Sequence, residues 1–140
     1  MNAITDHLLK KTDVIQWMID KISEIEDLTV KRFVGSNYNQ LLNLLPSLQP
    51  NSAVISYQGT EYGEEPRAKL SFSVISITRE WSDRSKAENE VMELIEEIIS
   101  KLDHSIYNEQ AFCYVTSDKW LELTNTGLIA YEINFTILDN

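Results

Sequence analysis

The 140-residue sequence predicts an α+β fold, a mainly antiparallel β-sheet with two main helices packed on one face. Three observations predict it. Two segments repeat apolar residues at spacings of three and four, five segments are short and β-branched or alternating, and the connections between strands are short and polar.

The first helix follows Thr12-Asp13, a pair suited to an N-cap with an acid in the first turn. Ile15, Met18, Ile19, Ile22 and Ile25 make its apolar stripe, and Trp17 falls off that stripe. Ile4, Leu8 and Leu9 extend the helix upstream or form a separate turn. Leu28 to Val34 reads as a strand stopped by Gly35, and Gln40 to Leu45 as one or two helical turns ended by Pro46.

Ala53 to Tyr57 is a second strand. Gly59 to Arg67 holds two glycines, one proline and three glutamates, the composition of an exposed loop or hairpin tip. Lys69 to Glu80 is a long strand whose apolar phase changes: Leu70, Phe72 and Val74 share one face, Ile75 and Ile77 the other. Either a β-bulge intervenes or both faces are covered.

Ser82 to Leu102 is the clearest helix, with Val91, Leu94, Ile95, Ile98, Ile99 and Leu102 on one face and Glu90, Glu93, Glu96 and Glu97 elsewhere. Two strands follow, one within Gln110 to Leu123 and one from Gly127 to Leu138, joined by the turn Thr124-Asn125-Thr126-Gly127. The last alternates Ile129, Tyr131, Ile133, Phe135 and Ile137 with Ala130, Glu132, Asn134 and Thr136, which predicts one polar face. The hairpin they form is a candidate free edge. With no boundary or repeat, residues 1–140 read as one domain.

Charge narrows the partners. The net charge is −10; residues 71–140 hold five basic and thirteen acidic side chains, whereas residues 1–70 hold seven and nine. Such a surface disfavours nucleic acid and anionic membranes. No apolar run reaches the roughly 18 residues of a membrane span. The N-terminus lacks the apolar stretch of a signal peptide, so a cytosolic start is expected.

Chemical motifs are absent. The four glycines form no phosphate-binding loop, and His7 and His104 lack ligand-spaced partners, so no cofactor or metal is expected. His104 suits capping at the end of the long helix. Cys113, the one cysteine, reads as a core or half-buried strand residue. Glu90, Glu93 and Glu97 read as a solvated helix face. An enzyme is therefore not expected. A small hydrolase using His104 and an acidic neighbour stays as a minor alternative.

Interface chemistry is better represented. Tyr57, Glu61, Tyr62 and Arg67 lie in or beside the glycine-containing loop; Arg79, Trp81 and Arg84 lie where the long strand hands over to the helix; Trp120 lies on the terminal hairpin. Tyr, Trp and Arg are the residue types that anchor protein contacts.

The chain resembles the Mu-like phage proteins related to tail terminators and tail-completion proteins. The similarity runs through Leu44-Leu45-Pro46-Ser47-Leu48-Gln49-Pro50-Asn51-Ser52-Ala53-Val54-Ile55-Ser56-Tyr57-Gln58-Gly59, then Leu70 to Arg79 with the Ala87 to Leu102 helix, and ends in Gly127 to Ile137. The resemblance implies a non-enzymatic subunit forming a ring, a hexamer, that caps the tail tube and meets the head-side connector. Its partners would be itself and the tail-tube and neck proteins, in the bacterial host cytoplasm during assembly and then in the virion tail. The rival reading is an acidic binding or immunity-type module that neutralises a basic protein.

Overall fold

A computed structural model describes residues 9–33, 38–48, 51–65, 67–79, 84–121 and 128–139. The elements are α1 (Lys11–Ile22), β1 (Thr29–Arg32), α2 (Tyr38–Leu44) running into a 3-10 turn (Leu45–Ser47), β2 (Ser52–Tyr62), β3 (Ala68–Arg79), α3 (Arg84–Leu102), β4 (Ser105–Tyr107), β5 (Ala111–Leu121) and β6 (Leu128–Asp139). The six strands form one sheet in the order β1-β2-β3-β6-β5-β4. The α+β class holds.

Helix α1 starts one residue before Thr12. Lys10 takes the cap position with extended backbone and no side-chain cap, and its carbonyl accepts from the N–H groups of Asp13 and Val14. The expected Thr12 cap is therefore replaced, and Thr12 sits inside the first turn. Val14, Ile15, Met18 and Ile22 are buried, as is Ile25 just beyond the helix. Residues 1–8, which bear Ile4 and Leu8, lie outside those described.

The long helix α3 buries Ala87, Val91, Ile95, Ile98 and Leu102 against the same sheet face as α1. Burying each large aliphatic side chain contributes about 1.5–3 kcal/mol before the entropy of ordering it is counted. The two main helices thus share one face of the sheet with Ala53, Ile55, Leu70, Phe72, Val74, Ile133, Phe135 and Ile137.

The opposite face is covered over half its length. Leu41, Leu45 and Leu48, from α2 and the 3-10 turn, pack with Val54, Ile75, Ile77 and Ala130. This explains the phase change in β3. Its register with β6 is unbroken from Ala68 opposite Asp139 to Arg79 opposite Leu128, so both faces are covered and no bulge intervenes in β3.

One pairing is parallel within the otherwise antiparallel sheet, and one strand was not expected. β1 pairs parallel to β2, with Thr29 opposite Ser52 and Arg32 opposite Ile55, because α2 serves as a crossover connection rather than a turn. β4 is an added strand of three residues, pairing Ser105 with Cys113 and Tyr107 with Ala111. The turn between them carries Asn108 and Glu109 at positive φ.

The last strand is not an edge. β6 lies between β3 and β5, and its expected polar face is buried at Glu132 and Thr136. Ser73 donates to Asn134 Oδ1 at 2.6 Å, and Asn134 Nδ2 donates to Ser117 Oγ at 3.1 Å and to Glu132 Oε1 at 3.2 Å. Polar side chains can line that face because they satisfy each other across three strands. The expected turn 124–127 lies outside the described residues.

Candidate functional site

The sequence's interface candidates fall at two ends of the sheet. In β3, Ala68 pairs with Tyr62 and Asp139 at one end, and Arg79 pairs with Leu128 at the other. Eleven residue steps separate these ends, roughly 36 Å at about 3.3 Å per residue.

At the first end, β2 runs five residues further than composition indicated, to Tyr62 rather than Tyr57. The expected loop from Gly59 is strand as far as Tyr62, and Gly63 N donates to the Arg67 carbonyl at 3.0 Å to close the turn. The strand absorbs the glycine through a register shift between Tyr57 and Gly59, where Gly59 has φ +141°. Tyr62 is 64% exposed. The Lys11 ammonium donates to its hydroxyl at 3.1 Å, and that hydrogen bond raises the Lys11 pKa. Glu61 is exposed and opposite Lys69, whereas Arg67 is only partly exposed. Tyr57 turns inward: its ring tilts against Phe72 at 5.4 Å between centroids, and its hydroxyl bonds that of Thr60.

Leu9, Lys10, Lys11, Thr60, Tyr62, Ala68 and Leu70 line a shallow cleft beside this end. Next to it Asp139, a buried carboxylate paired with Ala68 on the ladder, accepts from Leu9 N at 3.3 Å and from Gln110 Nε2 at 3.1 Å.

At the other end stands Trp120, 42% exposed. Its ring meets Tyr131 edge-on, 4.7 Å between centroids, and the Tyr131 hydroxyl donates to Asp118. That hydrogen bond, with burial second, pushes the Tyr131 pKa up to about 12. The edge-to-face pair gives Trp120 a fixed orientation at the surface. Arg79 ends β3 and Arg84 begins α3 at this same end, with only their backbones described; Trp81 lies outside the described residues.

One residue takes a role other than expected, while Cys113 sits in the strand core as expected. His104 does not cap α3: the Ser105 hydroxyl donates to the Leu102 carbonyl, while the His104 side chain is exposed, 3.4 Å from Asp103. Its backbone has φ +62°, so His104 reverses the chain rather than capping with its ring. Cys113 is fully buried, and desolvation pushes its thiol pKa up to about 12.

A carboxylate-rich groove runs between α3 and the segment before β1, lined by Glu26, Asp27, Glu90, Glu93 and Glu97 with Ile25, Leu28, Asn51 and Leu94. Composition located the glutamates, but only the fold places Glu26 and Asp27 across from them. Among the described residues no three His, Cys, Asp or Glu side chains are disposed to hold a metal ion, and no helix is long and apolar enough to cross a membrane.

Sequence reading missed one surface pair. Ile106 and Phe112 are cross-strand partners, 52% and 50% exposed. The available signal was alternation: Phe112 stands between Ala111 and Cys113, both buried, so it must project from the opposite face.

No protein-family model matches this chain, and no curated protein does. Among solved structures, a chain from the virion of a native gene transfer agent particle matches with a TM-score of 0.52. The match covers 87% of this chain and 90% of that one at 9% identity. At that identity the likeness is one of fold.

Proposed function

We propose that this chain is a structural subunit of a phage-type particle, without catalytic activity, that assembles as a ring at the end of a tail tube. The observation that carries the reading is the fold match to a gene transfer agent virion chain, which spans nearly the whole of both chains. The resemblance to tail-terminator and tail-completion proteins supports the ring, with a hexamer as the expected form. Two sets of contact-forming residues at opposite ends of the sheet suit a subunit that meets the tail tube on one side and the connector on the other.

Solution mass by light scattering tests the ring. Six copies of a 16.2 kDa chain give about 97 kDa, and a closed ring holds that mass over a wide concentration range. Tyr62→Ala and Trp120→Ala should weaken docking on tail tubes or connectors while leaving the fold intact. Undiminished docking by both would remove the two ends from the contact surface.

A second reading rests on the carboxylate groove beside α3: an acidic module that neutralises a basic protein. Salt-sensitive capture of a basic protein, lost when Glu90, Glu93 and Glu97 become glutamine, would favour it over ring assembly.

A further inference from the structure

We infer that the sheet face bearing Ile106 and Phe112 is the surface on which a second copy of this chain docks. The inference rests on the assembly reading and names its contact surface. Three observations carry it.

The first is an apolar pair held in register. Ile106 lies opposite Phe112, and Phe112 lies opposite Leu138 on the next strand, so the three side chains project side by side across β4, β5 and β6. Half exposure of Phe112 leaves about 100 Å² of aromatic surface in water. Unlike scattered surface hydrophobics, these occupy neighbouring ladder positions.

The second is charge. On the same face Lys69 is the cross-strand partner of both Leu138 and Glu61, and Lys119 Nζ lies 4.0 Å from Glu132. A lysine thus faces each of these two glutamates, and Lys31 on β1, opposite Val54, adds a further cation to that face. On α3, by contrast, Glu88, Glu90, Glu93, Glu96 and Glu97 outnumber the basic residues Arg84, Lys86 and Lys101. A second copy, itself acidic with net charge −10, is repelled by α3 but not by this face. A basic partner would be drawn instead to α3.

The third is the state of the edges. β1 covers β2 only to Ile55, and β4 covers β5 only to Cys113, among the described residues. Both strands break register just beyond, at Tyr57/Gly59 and at Val115/Ser117. Bulges on open edges discourage edge-to-edge pairing, leaving the face as the better contact.

The test compares light-scattering mass against concentration for the full chain, Phe112→Ser and Ile106→Lys, with Met92→Ser on α3 as control. Both face variants should self-associate about tenfold or more weakly, and Met92→Ser as wild type does. Circular dichroism melts checks that each variant is folded, and either variant alone suffices. Wild-type association unaffected by both face variants would overturn this surface and leave the ring standing. A wild-type chain monomeric at every concentration would overturn docking of a second copy here, while docking on a tail tube would separately decide the virion reading.

Discussion

The backbone N–H of Leu9 donates to the carboxylate of Asp139 at 3.3 Å, joining positions 130 residues apart. The bond fixes where the chain enters α1, which has no side-chain cap of its own. Asp139 also accepts from Gln110, so the end of β6, the start of α1 and the β4–β5 turn share one buried acceptor.

Replacing Asp139 with alanine should therefore destabilise the fold by about 1–3 kcal/mol, the cost of stranding buried donors. Asparagine, which keeps an acceptor, should cost less. Urea unfolding gives the size, and faster amide exchange at Leu9 and Lys10 would locate it. Unaltered exchange there would mean that the helix start is held by something else.

Coverage of both sheet faces makes Ile75 as much a core residue as Phe72. Ile75→Ala should cost about 2–5 kcal/mol in a single cooperative transition. A cost under 1 kcal/mol would show that α2 and its turn contribute little to the folded state.

At Gly59 the obstacle is backbone conformation rather than space. A Cβ there would meet nothing within 4 Å, but φ is +141°. Gly59→Ala should thus destabilise by about 1 kcal/mol or more through strain alone. Neutral chemical denaturation would place the bulge elsewhere in solution.

The Tyr131 hydroxyl, held by Asp118, has a pKa raised from 10.0 to about 12. A raised folded pKa means the contribution is complete below pH 10 and is lost as pH climbs towards 12. Ultraviolet titration should show late phenol ionisation, part of which Asp118→Ala moves down. A titration curve unchanged by Asp118→Ala would contradict the bond.

The Cys113 thiol should resist a soluble disulfide reagent at pH 8 until the protein unfolds, since its pKa is pushed up to about 12 and no side-chain surface reaches solvent. Rapid labelling of native protein would show that β4 and β5 open locally.

Much of this was legible in local pattern. Helical spacing located α1 and α3, and β-branched runs located five of the six strands, because amphipathic burial imposes its period on the residues themselves. β4 escaped, since three residues are too few to show a period. β2 was cut short at Tyr57, because a strand can absorb a glycine such as Gly59 at a bulge that sequence reading takes for a loop. Aromatic and basic residues marked two candidate contact regions, but not that they lie at opposite ends of one sheet.

By itself, then, the sequence determined the apolar stripes of α1 and α3 and the acidic character of the chain. Tertiary structure decided the rest: the parallel pairing of β1, the central place of β6, the meeting of Glu26 and Asp27 with the α3 glutamates, and the exposure of Phe112 beside Ile106. The reason is range. Periodicity reports the environment along one element, whereas strand order and shared surfaces depend on contacts between residues far apart in the chain.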